Sequence, residues 1–571
     1  MQQWLAEDGD RPLVVVTERG VGIAQHEPVD AGSAAVWGLL RSAQAESPGR
    51  ITVLDVEPDT RLTPELVTAV AHSEEPQLAL RKGEFHAPRL TRVEVPDAPG
   101  TDVAASQASA ADASGQDAET DAGGGPVRLR PGGSVVVTGG TGDLGALVAR
   151  HLVDRYGVRH LVLASRRGAE AAGARELQAE LVAAGARVEL VSCDVTDRAA
   201  VSALLASVPD DHPLTGLVHC AGALDDGVIE ALTDERVDRV FAPKLDALYH
   251  LDEVTRGLDL PLFAVFSSAA GVLGTAGQAN YAAANAAVDA VVRARHAAGL
   301  PGVSMAWGWW GQGTGLTGKL NEADRERFAR SGVAAMSAAE GLALFDAALA
   351  HGAPLLVPVK LNLARLATAG SVPPLLSALA PAGAAATRRT AADGGGADGG
   401  SLRERLAALP AADRERHLVD LVAGQVAAVL GHSGAAGVEV GKPFTALGFD
   451  SLTAVELRNR LGQATGLRLP ATLTFDHPTP LVLARFLLGE VLPSETETLD
   501  WAMREIDKME SLLADLPPED TVRARVQDRL RVLLSRTGET AGELSGAAVT
   551  EHLQSSSAEE LFEFVDRQLG T

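Results

Sequence analysis

The sequence predicts an α/β protein: a doubly wound, mostly parallel sheet, followed by a small helical domain and a charged helical tail. Three observations predict it. From Ser134 onward, short apolar runs alternate with helix-like segments, as in a parallel sheet covered on both faces. A glycine-rich loop separates the first of these runs from its helix. Past a second low-complexity stretch, residues 380–400, the apolar positions take up helical spacing.

Taken in order, residues 13–16 and 51–56 read as buried strands, and 34–45 between them as a helix, a βαβ-like piece. Residues 101–125 are Ala, Ser, Asp and Gly with little to bury, hence a flexible linker. Strands are expected at 135–137, 161–164, 188–191, 217–220 and 263–266, with helices at 146–156 and 175–184. Residues 425–430 end one later helix and 454–461 form another. In the tail, Leu499, Met503, Ile506, Met509 and Leu513 make a heptad-like seam, repeated by Val522, Val526, Leu530 and Leu533 beyond Pro517-Pro518. Residues 556–570 form a third amphipathic helix with Leu561, Phe562, Val565 and Leu569 on one side.

At 571 residues the chain is too long for one core, so three or four compact units are expected. The apolar fraction, 46%, is that of an ordinary globular protein. No run of about 18 apolar residues is free of charges or turn formers, so no membrane partner is expected. The first residues lack a basic start and apolar core, so no secretory signal is read. Two cysteines, Cys193 and Cys220, suit a reducing compartment, and the cytoplasm is the expected location. Fourteen histidines lie scattered without ligand spacing, which disfavours a metal. A net charge of −25 argues against nucleic acid as a partner, since phosphate binding needs a basic face.

The glycine loop runs Thr138, Gly139, Gly140, Thr141, Gly142, Asp143, Leu144, Gly145. Following a strand and opening a helix, it suits a Rossmann-like dinucleotide site, with the helix N-terminus facing a pyrophosphate. The alternative is a structural turn. The next strand ends in Ser165, Arg166 and Arg167. A site preferring NAD usually carries an acid there, whereas arginines suit a 2′-phosphate, so NADPH is expected. A solvated arginine pair is the competing reading. Cys193, Asp194 and Val195 follow the third strand, placed to meet an adenine. Ala221 and Gly222 follow the fourth, placed to pass under the cofactor.

Ser268 stands thirteen positions before Tyr281, Asn285 follows one helical turn later, and Lys244 comes earlier. This set, with the glycine loop, resembles the short-chain dehydrogenase/reductase superfamily, and more closely the ketoreductases of modular type I polyketide synthases. In those the slot four after the tyrosine holds asparagine and the lysine lies upstream. The resemblance implies reduction of a β-keto carbon by hydride. Tyr281 would donate the proton, aided by the Lys244 ammonium, Ser268 would bond the carbonyl oxygen, and Asn285 would orient Lys244. Leu224, Asp225 and Asp226 look like the motif of B-type ketoreductases, which give a D-configured hydroxyl. Leu273 stands where the A type has tryptophan, and Ala276 and Ala284 replace the prolines linked to epimerisation, which implies a B1 reductase.

Asp450-Ser451-Leu452, with Gly448-Phe449 before it, resembles the phosphopantetheine site of an acyl carrier protein. The implied cofactor is 4′-phosphopantetheine on Ser451, attached by a separate phosphopantetheinyl transferase. The tail resembles the C-terminal docking region of modular synthases. It implies a homodimer through its first helices and a downstream synthase as partner of its last. The acidic last helix predicts a basic partner and salt-sensitive affinity.

The resemblance divides the chain into a partial ketoreductase structural subdomain (1–97), a linker (98–126), the catalytic domain (127–370), a linker (371–400), the carrier (401–490) and docking helices (495–571). The family has a longer segment before Gln3, so an upstream ketosynthase/acyltransferase chain, or a missing N-terminal segment, is an expected partner. The competing functions are a silent reductase-carrier scaffold and a fatty-acid synthase fragment.

Overall fold

The computed structural model describes residues 1–5, 12–24, 27–94, 127–311, 332–364, 372–379, 402–432, 434–470 and 472–492. The expected docking helices and most of both linkers lie outside these residues. Of the second linker, Pro374–Leu379 forms a 3-10 helix, with Leu376 buried and Leu375 O accepting from Leu90 N at 2.8 Å.

Two sheets build the reductase-like part. The first holds β1 (Leu13–Glu18), β2 (Ile51–Val56), β3 (Gln77–Arg81) and β4 (Glu84–His86), in that order. β1, β2 and β3 run parallel, and β4 turns back antiparallel. Every residue of β2 is buried, as its apolar run predicts. Helix α1 (Ala31–Glu46) crosses between β1 and β2, starting at Asp30, whose carboxylate accepts from Ser33 N.

The second sheet contains β5 (Ser134–Thr138), β6 (His160–Ser165), β7 (Arg187–Ser192), β8 (Leu214–His219), β9 (Leu262–Ser268) and β10 (Val303–Trp307). After β11 (Val333–Ala334) comes its last strand, β12 (Leu355–Leu356), and β13 (Lys360–Leu361) pairs with β11. The order is β12-β10-β9-β8-β5-β6-β7, parallel throughout. Helices cover both faces over separate apolar cores, one around Val135, Leu163 and Phe266, the other around Val136, Leu217 and Val265. This is the doubly wound sheet expected. Helix α2 (Asp143–Tyr156) follows the glycine loop and ends at Gly157, φ +66. Helix α3 (Ala279–Ala297) is buried nearly all round.

The two sheets meet through α1 and α3, which approach at backbone distance. A Cβ at Gly38 would lie 2.3 Å from Ala282 O.

The helical domain follows a short lead helix, Leu402–Ala408. It comprises α4 (Ala411–Leu430), α5 (Ser451–Thr465), the short α6 (Leu473–Asp476) and α7 (Pro480–Val491). Leu418, Val422, Val426, Leu457, Leu461, Leu483 and Leu487 fill its core and are fully buried. Among the described residues no helix is long and apolar enough to cross a membrane.

Candidate active site

The site assembles where strand order reverses, between β5 and β8. The loop after β5 is drawn too close for side chains. A Cβ at Gly139 (φ +67) would lie 2.8 Å from Ala221 N, and one at Gly145 2.3 Å from Gly139 O. Gly142 opens α2 and no side chain caps its first turn. At the tip of β6 the buried Ser165 hydroxyl has no hydrogen-bond partner among the described residues, and Arg166 and Arg167 follow, exposed. A backbone cradle, an uncapped helix N-terminus and an orphaned hydroxyl fit a dinucleotide.

Three predicted residues turn their side chains inward. The Thr138 hydroxyl is fully buried and engaged by His219 Nδ1 at 2.7 Å, which ties the ends of β5 and β8 together. Cys193 and Val195 turn into the core beneath the sheet, as alternation after a strand dictates. Only Asp194 stays exposed, its carboxyl held below the ordinary value by the N–H and O–H of Thr196, with Arg166 nearby.

The four residues read as catalytic come from three elements. Ser268 ends β9, and its Oγ accepts from Ala270 N at 3.2 Å, leaving its own proton to donate. Tyr281 and Asn285 lie in the first turns of α3. Lys244 sits in a π-helical turn, Ala242–Asp246, the irregular geometry that re-aims a side chain inside a helix. It is 4% exposed, donates from Nζ to Phe266 O at 2.8 Å, and stands 5.5 Å from the Tyr281 ring centroid. Gly222 makes room for it, since a Cβ there would lie 2.8 Å from Lys244 Cε. Asn285 braces the start of the helix. Its Nδ2 donates to Tyr281 O at 2.8 Å, while its buried Oδ1 has no partner among the described residues.

The Leu224–Asp226 loop is fastened to the start of α3. Asp225 accepts from Arg236 Nε at 3.0 Å and Arg239 Nη1 at 2.5 Å. Asp226 accepts from Gln278 Nε2 at 2.8 Å, and Gly227 N donates to Gly277 O at 2.7 Å. Asn280, fully buried, donates to Asp225 O at 2.9 Å and receives Tyr281 N at 2.9 Å. The loop is therefore tied to the backbone beside Tyr281 through hydrogen bonds that sequence reading did not identify.

Glu46, the last residue of α1, was also missed. It is 3% exposed, and its carboxylate accepts from Ile229 N and Gly277 N, each at 2.9 Å, tying both loops at the site's mouth. Burial pushes its carboxyl up from 4.5 to about 7, against those two N–H groups. A carboxyl raised in the folded state stabilises fully below its unfolded value and loses that share as pH rises through the folded one. Unfolding free energy is therefore expected to fall by about 1–3 kcal/mol more in the wild type than in Glu46→Gln between pH 4.5 and 7. Thermal melts of both chains across that window check it, and equal slopes refute it. Deeper in α3, burial likewise pushes Asp289 up to about 6, with Ser304 Oγ donating to it at 2.6 Å.

Beside Ser451, Asp450 is the N-cap, accepting from Leu452 N at 3.1 Å and Thr453 N at 2.8 Å. Ser451 is thus the exposed first residue of α5, and its hydroxyl is not consumed by capping.

Residues 133–312 match the KR domain family, residues 1–90 the Rossmann fold domain of the polyketide synthase extender module SpnB, and residues 420–487 the phosphopantetheine attachment site family. Polyketide synthase GfsA of Streptomyces halstedii is 44% identical over 579 residues, spanning 100% of this chain and 7% of its own length. The spectinabilin polyketide synthase system protein NorA' of Streptomyces orinoci is 49% identical over 495 residues, 86% of this chain and 13% of its own. The chain therefore spans a small part of these curated relatives. Among solved structures, A-type ketoreductases from a modular polyketide synthase align at TM-score 0.56 and 37% identity, over 64% of this chain and 73% of theirs. The ketoreductase of the first module of phoslactomycin biosynthesis in Streptomyces sp. HK803 aligns at TM-score 0.54 and 32% identity, over 64% and 80%.

Proposed function

Because the chain belongs to the ketoreductases of modular polyketide synthases, here joined to a phosphopantetheine carrier domain, we propose that it reduces a β-ketoacyl thioester held on its own Ser451 arm to the D-configured β-hydroxyacyl thioester, using NADPH and without epimerisation. The observation that carries this reading is Lys244, held by Phe266 O beside the Tyr281 ring and against Gly222, with Ser268 two residues beyond Phe266, in one chain with an exposed Ser451.

A bound NADPH supplies the hydride to the β-carbon. Tyr281 Oη gives its proton to the carbonyl oxygen as charge develops there. Ser268 donates its free proton to the same oxygen and stabilises that charge. Lys244, fixed by Phe266 O, keeps an ammonium beside the tyrosine. Asn285 fixes Tyr281 by bonding its carbonyl. Arg166 and Arg167, exposed after β6, would bind the 2′-phosphate. The Leu224–Asp226 loop, locked to Gln278 and Asn280, selects the face of the ketone. After reduction the acyl group passes to a downstream synthase recruited by the tail helices, and an upstream ketosynthase and acyltransferase supply the substrate. The setting is cytoplasmic.

The test is oxidation of NADPH and of NADH with a diffusible β-ketoacyl thioester, with chiral analysis of the product. A D product with NADPH preferred by about tenfold or more, a preference lost in Arg166→Asp, bears the reading out. An L product would instead favour the A type named for solved relatives at 37% identity. No turnover by folded protein that binds NADPH would favour the silent scaffold.

A further inference from the structure

The C-terminal end of α1 leaves carbonyl groups that its own helix cannot use. Ser47 N closes back onto Ala43 O, so the carbonyls of Ala45 and Glu46 need partners from elsewhere. They find them on the carrier. The Arg458 guanidinium donates to Glu46 O, and Asn459 Nδ2 donates to Ala45 O at 3.2 Å and to Glu46 O at 3.1 Å. A helix C-terminus carries partial negative charge, so a guanidinium is the favoured cap. Burial lowers the Arg458 pKa, while Glu230 and Glu46 oppose that loss.

Two turns earlier on the same face of α5, Leu452 lies over Gly277, where a Cβ would sit 3.0 Å from Leu452 Cδ2. Gly277 has φ +81 and no side chain, so the leucine rests on bare backbone. That glycine's N–H is one of the two held by the Glu46 carboxylate. A single residue of α1 thus receives the carrier through its carbonyl and fixes the mouth of the reductase site through its side chain.

We propose that the end of α1 and Gly277 form the docking surface on which this chain's carrier domain presents its acyl group to the reductase, with Leu452, Arg458 and Asn459 as the recognition residues. Ser451, next to Leu452 and exposed, then opens its arm at the rim formed by Gly277 and the 225–227 loop. The same residues on the carrier of any other chain would dock alike, because the receiving groups are mainly backbone. This inference rests on the ketoreductase reading above.

The experiment uses the full chain, its carrier loaded with a β-ketoacyl phosphopantetheine, and compares wild type with Arg458→Ala/Asn459→Ala. Loading is quantified by intact-protein mass spectrometry, and rates are expressed per loaded chain. Single-turnover reduction of the tethered substrate is expected to slow by about tenfold or more, as direct hydrogen bonds to a charged group are lost. Steady-state reduction of a diffusible β-ketoacyl thioester by the same variant is expected to stay within about twofold of wild type. An unchanged tethered rate overturns the docking surface. An equal loss on both substrates overturns it too, by showing that the contact merely supports α1. Wild type that fails to reduce the diffusible thioester overturns the ketoreductase reading itself, and the docking inference with it.

Discussion

Tyr281→Phe is expected to lower turnover of a β-ketoacyl thioester by about 10²–10⁴-fold, the usual contribution of a positioned proton donor. The change removes one oxygen and leaves the ring. The ring packs beside Lys244, and the backbone of residue 281 is held by Asn280 and Asn285, so the helix start keeps its bonds. Lys244 keeps its bond to Phe266 O. The glycine cradle and Ser165 do not involve the tyrosine, so NADPH affinity is expected to stay within about twofold. Fluorescence titration of NADPH beside NADPH-oxidation kinetics separates the two effects. A variant retaining more than about a tenth of wild-type turnover would move the proton source to another group, with Ser268 the nearest alternative in role.

Five strands of the large sheet, β5 to β9, were legible because each is a short apolar run bounded by turn formers, and because parallel strands buried on both faces need no alternation, whereas β10 and the two-residue β12 were not read. The cofactor loop was legible for a local reason: its glycines are required by backbone approach within a few residues and across to Ala221. The long helix Ala279–Ala297 was seen only at Tyr281 and Asn285. Its alanines are buried on nearly every side, so no polar face marks its course. Glu46 and Asn280 could not be read at all. Their partners lie far off in sequence, Glu46 bonding Ile229 and Gly277, and an acid closing a helix looks like any surface acid until the second sheet covers it. The bonds that Thr138 and Asn285 make, to His219 and to the Tyr281 carbonyl, were not read. Spacing sets where a side chain starts, whereas rotamer and neighbours decide what it touches. The carrier serine fell between these cases. Its motif was plain, but that Asp450 rather than Ser451 caps α5 depends on which side chain turns back to the first-turn amides.

Close packing makes Gly38 a sensitive position outside the catalytic set. α1 belongs to the first sheet's layer and α3 carries Tyr281, and the two helices touch at Gly38 with no side chain between them. A Cβ there would meet Ala282 O at 2.3 Å, Ala282 C at 2.7 Å and Ala283 Cα at 2.9 Å, all backbone atoms of α3. Backbone cannot rotate aside as a side-chain tip can, so Gly38→Val must push the helices apart. Overpacking of this kind costs about 1–3 kcal/mol and sometimes more. In a domain of this size that corresponds to a drop in melting temperature of about 2–4 °C per kcal/mol. The loss in turnover is expected to be larger than stability alone explains. Displacing the second turn of α1 and the first turn of α3 shifts Tyr281 against Ser268 and Lys244, which belong to other elements, and misplacement of about 1 Å can cost a hundredfold. Gly38→Val is therefore expected to lose about tenfold to a hundredfold in kcat at a temperature where it remains folded, with NADPH binding kept, because the cradle lies on α2. Near-normal turnover in a destabilised variant would mean that α1 supports the fold without setting the catalytic geometry. That outcome would separate the role of residues 1–94 in stability from any role in positioning Tyr281.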